Sequence, residues 1–386
     1  MNVTLEPRIL SWARERAGLD VPALAKKLGI KKVERILEWE TTGELPYEKA
    51  EMLARKTYTP FGFLFLKEPP EDKLPIPDFR TVGDAPVRRP SPDLLETVYQ
   101  MQRRQAWMRE FLLEEGESAL DFIGSATVQS NSDTVARAMR TKLDCAEGWA
   151  AKERTWTDAL IHLRQKIEKI GILIVINGVV GNNNRRKLAP DEFRGFALSD
   201  NHAPLIFING SDFKGAQMFT LAHELAHLWI GKDGVSNSDV LLSPTNAVEN
   251  WCNAVAAEFL VPSQEMRQAW VHAQRENDPY QFLAARFKVS SLVAARRALD
   301  MGLATRGNFF AFYEVYCKDE RRKQQVKKSG GDFWMTQNVR IGQRFGAAVV
   351  QSAREGRLLY RDAYHLTGLY GPTFNRYAEK LGFQPR

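Results

Sequence analysis

Over residues 6–67 apolar positions recur at helical spacing in short runs, each broken by glycine or proline. Leu10, Trp12, Ala13 and Ala17 mark one amphipathic stretch, which Gly18 ends. "LDVPALAKKLGI" marks a second, with Asp20 placed to cap it, Pro22 in its first turn and Gly29 as its stop. A third runs from about Lys32 to Trp39, a fourth covers "YEKAEMLARKTY", and the apolar "TPFGFLFL" closes the block. The spacing predicts a small unit of helices.

The pattern then lapses. Residues 67–93 carry seven prolines among many charges, which predicts an extended linker or a strap lying on another surface. Helical spacing returns from Leu94 to about Glu114 and from Asp133 to Lys169. Next the period shortens: "GILIVIN", "FRGFAL" and "PLIFIN" are short, β-branched or aromatic runs that predict three strands. Between the first two lies "GVVGNNNRRKLAPDE", which predicts a polar loop. Helical spacing resumes with "FTLAHELAHLW", then from about Ala247 to Leu260, where Pro262 follows. It continues through "DPYQFLAARFKV" and "SSLVAARRALDMG", the last with Ser290 as cap and Gly302 as stop.

The expected fold is therefore α+β and mostly helical. It has a domain of short helices at 1–70, a linker at 71–93, a central domain with a small three-stranded sheet at 94–305, and a helical extension at 306–386. At 386 residues the chain exceeds one ordinary core, consistent with several domains. No membrane span or signal peptide is discernible, and a cytoplasmic protein is expected. Cys145, Cys252 and Cys317 are too few and too scattered for a disulfide framework or a paired-cysteine metal site. Charge changes the picture at one end only. Residues 301–386 hold 15 basic against 7 acidic side chains, leaving 39 against 40 in the first 300. Such a basic excess suits nucleic acid or an acidic protein surface, and equally an ordinary solvated helical face.

Candidate chemistry centres on His223-Glu224-Leu225-Ala226-His227, an H-E-x-x-H sequence. On a helix, residues four apart share a face, so both imidazoles can address one ion while Glu224 lies just beside them. Chance produces this pattern on the order of once in a hundred such chains. The flanks are apolar, and burying two histidines and a glutamate without partners is costly; a metal, or a set of hydrogen bonds, would remove that cost. Zinc suits neutral imidazole and carboxylate ligands, with an open position for water and substrate. Asp233 stands where a third histidine would make a metzincin. Instead "VENWCNAVAAEFLVP" offers Glu249, with Asn253 one turn later to orient it, and Glu258 as the rival ligand. For an oxyanion donor, His272, His365 and tyrosines are candidates, and "FRGFAL" or its neighbour is a candidate edge strand for an extended substrate.

Three blocks, "FRGFALSDNHAPLIFINGSDFKGAQMFTLAHELAHLW", "ENWCNAVAAEFLVP" and "FKVSSLVAARRALDMGL", resemble the ImmA/IrrE metallo-endopeptidases over about residues 133–305. The resemblance implies zinc held by His223, His227 and Glu249, Glu224 as general base, and a helix-turn-helix repressor as substrate, so that cleavage switches gene expression. The N-terminal block is similar to XRE-type helix-turn-helix domains in its arginine-rich first helix, A-x-x-L-G turn, W-E and closing helix. That likeness makes Lys31, Lys32 and Arg35 the candidate DNA contacts. The segment departs from the pattern: between Gly29 and Trp39 it is one residue longer, and Glu34 and Glu38 lie among its basic residues. Protein docking is the competing role there. A DNA-binding regulator that uses the peptidase fold for recognition is the alternative for the whole chain.

Overall fold

The computed structural model describes residues 1–79, 89–236, 246–318 and 332–384. Two compact units emerge: residues 1–75 with 86–99, and residues 76–85 with 100–386. The molecule is mostly helical with small sheets.

In the first unit β1 (Asn2–Thr4) precedes α1 (Pro7–Arg16), α2 (Val21–Leu28) and α3 (Glu34–Thr42). β2 (Glu44–Pro46) pairs antiparallel with β1 and leads into α4 (Tyr47–Thr57). Asp20 caps α2 by accepting from the Ala23 N–H at 2.7 Å, and Gly29 ends it at φ 67°. Ile9, Leu10, Trp12, Leu24, Ile36 and Leu53 form the core. The proline-rich stretch begins as a strap on this core: Asp72 accepts from the Trp12 indole at 3.1 Å and pairs with Arg16 at 2.9 Å. The middle of the expected linker, residues 80–88, lies outside the described residues.

α5 (Pro92–Glu114) is followed by α6 (Ser132–Lys142) and α7 (Trp156–Lys169). The continuous helical region expected from 133 to 169 is thus interrupted: Asp144 and Gly148 adopt left-handed backbone between the two helices. β3 (Leu173–Asn177) opens the main sheet. The expected polar loop folds as a hairpin, β4 (Val179–Val180) against β5 (Asn183–Lys187). β6 (Gly195–Leu198) and β7 (Leu205–Asn209) follow, then α8 (Lys214–Trp229) and β8 (Gly234–Ser236).

The sheet order is β3-β7-β6-β8, with β3 and β7 parallel and the other pairs antiparallel. Two expectations change here. Four strands are described in this sheet instead of three, because β8 adds itself beyond β6. "FRGFAL" accordingly supplies an inner strand, hydrogen-bonded on both sides, and cannot be the edge that pairs with a substrate. α8 lies against β6 and β7, with α9 (Ala247–Leu260) on its other side. Sandwiched in this way, every residue of α8 from Gly215 to Trp229 is buried. α10 (Ser263–Ala273), α11 (Pro279–Phe287) and α12 (Ser291–Asp300) enlarge the same core. Ser290 caps α12 through the Val293 N–H at 3.1 Å. Four helices at 333–341, 343–354, 360–367 and 372–380 make up the described C-terminal end. The stretch "KKSGGDFW" at 327–334, whose glycines read as a turn, lies mostly outside the described residues.

Candidate metal and catalytic site

His223, Glu224 and His227 lie on α8 and are fully buried. Helix α9 delivers Glu249 in its first turn, where the exposed N–H groups favour a carboxylate. Asn246 starts that helix by accepting from the Val248 N–H at 2.8 Å. The Nε2 atoms of His223 and His227 stand 3.2 Å apart. The Glu249 carboxylate reaches both, Oε2 at 3.2 Å from His223 and Oε1 at 2.9 Å from His227. One ligand atom from each of the three side chains thus falls within 4.8 Å of the others.

The tautomer follows from the neighbours. Asn253 Oδ1 accepts from His223 Nδ1 at 2.9 Å, so in the neutral ring that nitrogen carries the hydrogen and Nε2 keeps its lone pair. That lone pair faces His227 and Glu249. Asn253 was expected to orient Glu249; it contacts His223 instead, one turn farther along the α8–α9 seam. Burial alone would raise the Glu249 carboxyl, but the two imidazoles outweigh it and hold it at about 2. Burial opposes charge on His223, yet Glu249 raises its pKa; on His227 burial prevails and the pKa is lowered. The buried Glu249 carboxylate thus favours positive charge beside it, a demand that a divalent cation would meet. Two neutral nitrogens and a carboxylate are a donor set that fits zinc.

Glu224 differs from Glu249. Burial pushes its carboxyl up to about 8. Its Oε1 accepts a short hydrogen bond from Ser236 Oγ, while Oε2 is buried with no hydrogen-bond partner among the described residues. Gly195 makes room for this arrangement: a Cβ there would lie 2.7 Å from Thr220 Cγ2 and 3.1 Å from Glu224 Oε1. Ser236 escaped the sequence reading because a three-residue strand carries no periodic signal.

The rival ligand Glu258 is not part of the cluster. It pairs with Arg297 and accepts from Ser263 N at 3.0 Å and Ser263 Oγ at 2.6 Å, tying α9 to α10 and α12. Nor is it the solvent-facing residue that a surface role would need, being 8% exposed. Asp233 is also engaged, accepting from Ser199 N at 2.5 Å. His272 and His365 are exposed while the metal group is buried. In the first unit Lys31, Lys32 and Arg35 are all exposed, at and just before the start of α3.

No curated protein matches the chain. Residues 341–380 match a model described as a domain of unknown function. Residues 167–299, which run from the end of α7 to α12 and include every member of the histidine–glutamate group, match the model of the IrrE N-terminal-like domain, a peptidase family.

Proposed function

We propose that the protein is a zinc-dependent endopeptidase whose substrate is a DNA-binding repressor or a similar regulatory protein. The observation that carries this reading is the convergence of His223, His227 and Glu249 beside a second carboxylate, Glu224, with one uncommitted oxygen. Zinc held by His223 Nε2, His227 Nε2 and the Glu249 carboxylate would polarise a scissile carbonyl and acidify the attacking water. Glu224 Oε2 takes the proton of that water and passes it to the leaving nitrogen. Burial raises the basicity of Glu224 and a bound cation would oppose that rise, leaving a carboxylate able to take the proton and to give it up. Ser236 holds the other oxygen, fixing the direction in which the free one points. Asn253 keeps His223 in the tautomer whose lone pair faces the site.

Zinc-loaded wild type and Glu224→Gln, incubated with candidate repressors, provide the test. The wild type is expected to cut one of them and Glu224→Gln to cut none while retaining its zinc; equal processing by both removes Glu224 from the mechanism. Metal analysis of Glu249→Ala should show zinc lost.

A second reading, DNA binding by the N-terminal unit, is favoured by the exposure of Lys31, Lys32 and Arg35 together. The two are compatible, because a peptidase held near a promoter meets the repressor bound there.

A further inference from the structure

The edge of the sheet beside the metal group is already covered. β8 is an outer strand, and its free side is met by residues 77–79 in a single parallel bridge, Asp78 opposite Val235. Val235 N–H donates to Pro77 O at 3.0 Å, and Phe79 N–H donates to Val235 O at 3.0 Å. Ile76, just before, is buried. The Phe79 ring stacks on His227, centroids 5.7 Å apart and planes 15° from parallel. Gly234 is what admits that ring, since a Cβ there would run into its carbons. One residue past Val235, Ser236 holds Glu224. The strand edge, the metal group and the proposed base are therefore contiguous, and a segment of the chain's own proline-rich stretch occupies the edge.

We infer that Pro77-Asp78-Phe79 is an internal pseudosubstrate, and that the substrate class is an extended peptide that adds to β8 with an aromatic side chain over His227. The inference rests on the peptidase reading for the word substrate, though not for the occupancy. Strand addition supplies main-chain hydrogen bonds that any extended segment can make, while the pocket for one side chain supplies selectivity. Phe79 meets both requirements, and with its ring laid on His227 it blocks the site. Being tethered, it competes at high effective concentration. A substrate in trans thus sees a site reduced by the fraction of molecules in which the strap is seated.

The test uses the full chain in a Glu224→Gln background, so that nothing is cut, and a fluorescein-labelled hexapeptide of sequence LPIPDF, copied from residues 74–79. Phe79→Ala vacates the edge from the strap side and Gly234→Ala expels the ring from the strand side. Phe79→Ala is expected to bind the probe at least about ten-fold more tightly than the parent, by anisotropy, whereas in Gly234→Ala the new Cβ takes the ring's space from strap and probe alike, so the probe binds no more tightly than to the parent. A probe ending in alanine should bind neither. Both changes should also hasten removal of zinc by a chelator by a similar factor, and Phe79→Leu, which keeps an apolar side chain, should stay near the parent. Thermal unfolding of each variant confirms that a folded chain is compared. If folded Phe79→Ala binds the probe no more tightly than the parent, or binds the alanine probe equally well, or if Gly234→Ala binds the probe as tightly as Phe79→Ala does, the inference is overturned. Tighter probe binding by Phe79→Ala, with no cleavage of β-casein when Glu224 is restored, would keep the pseudosubstrate and remove the peptidase.

Discussion

Single side chains at this site are told apart by what each oxygen or nitrogen touches. Glu249 and Glu258 lie on one helix and look alike in sequence, yet one faces two imidazoles and the other an arginine. Replacing each by alanine should separate the two roles. Glu249→Ala should lose zinc, whereas Glu258→Ala should keep it but leave Arg297 without its carboxylate, lowering stability by about 3–5 kcal/mol in urea unfolding. Asn253→Ala should retain the ligands and weaken zinc about 10- to 100-fold, because the His223 ring loses its orienting acceptor. Zinc titration against a competing chelator reads that change. The H-E-x-x-H spacing made His223, Glu224 and His227 legible from sequence, since one helix fixes their relative directions. The partner of Asn253 was not legible, because it depends on how two helices cross. Thiols follow the same logic: burial raises Cys252 well above the ordinary range and Cys145 to about 11, and Cys317 is exposed. Native protein at pH 8 should therefore react quickly with a thiol reagent at Cys317 alone, with the other two reacting after denaturation.

At the scale of elements, strands β3, β6 and β7 were visible because each is a run of apolar residues bounded by turn formers. β8 was not: "GVS" has no run length, and its strand character comes from pairing with β6. That omission also left the edge undecided between "FRGFAL" and its neighbour, since a strand's neighbours belong to the tertiary structure and not to its own sequence. The contact between α8 and the sheet depends on one residue of β6. A Cβ at Gly195 would meet Phe207 O at 2.9 Å as well as Thr220 and Glu224, and a backbone oxygen inside a sheet cannot step aside. Gly195→Ala should push α8 off the sheet, costing about 1–3 kcal/mol of stability. It should also disturb the Ser236–Glu224 hydrogen bond. Urea unfolding measures the first effect, and the second should appear as lost cleavage in protein that still binds zinc.

Over the whole molecule, no described helix is long and apolar enough to cross a membrane, and the charge is the remaining feature with functional weight. Composition assigned the basic excess to residues 301–386, but some of those cations are paired at the surface with groups of the same chain. Arg357 pairs with Glu115 at 2.7 Å and with Glu355 at 2.5 Å, and Arg340 donates to Asn184 at 3.1 Å. The carbonyls of Leu366 and Arg340 in turn accept from the buried Arg104 of α5, each at 2.9 Å, so this end is packed into the second unit as well as charged. Lys31, Lys32 and Arg35 are exposed together. If DNA binds through them, each cation that neutralises a phosphate adds roughly 0.9 to the slope of log affinity against log salt. Replacing all three by alanine should then flatten that slope by about 2.7 units and weaken binding at low salt on any DNA sequence. A slope unchanged in the triple variant, with binding intact, would remove these residues as the DNA contacts and leave the C-terminal cations as the ones to replace next.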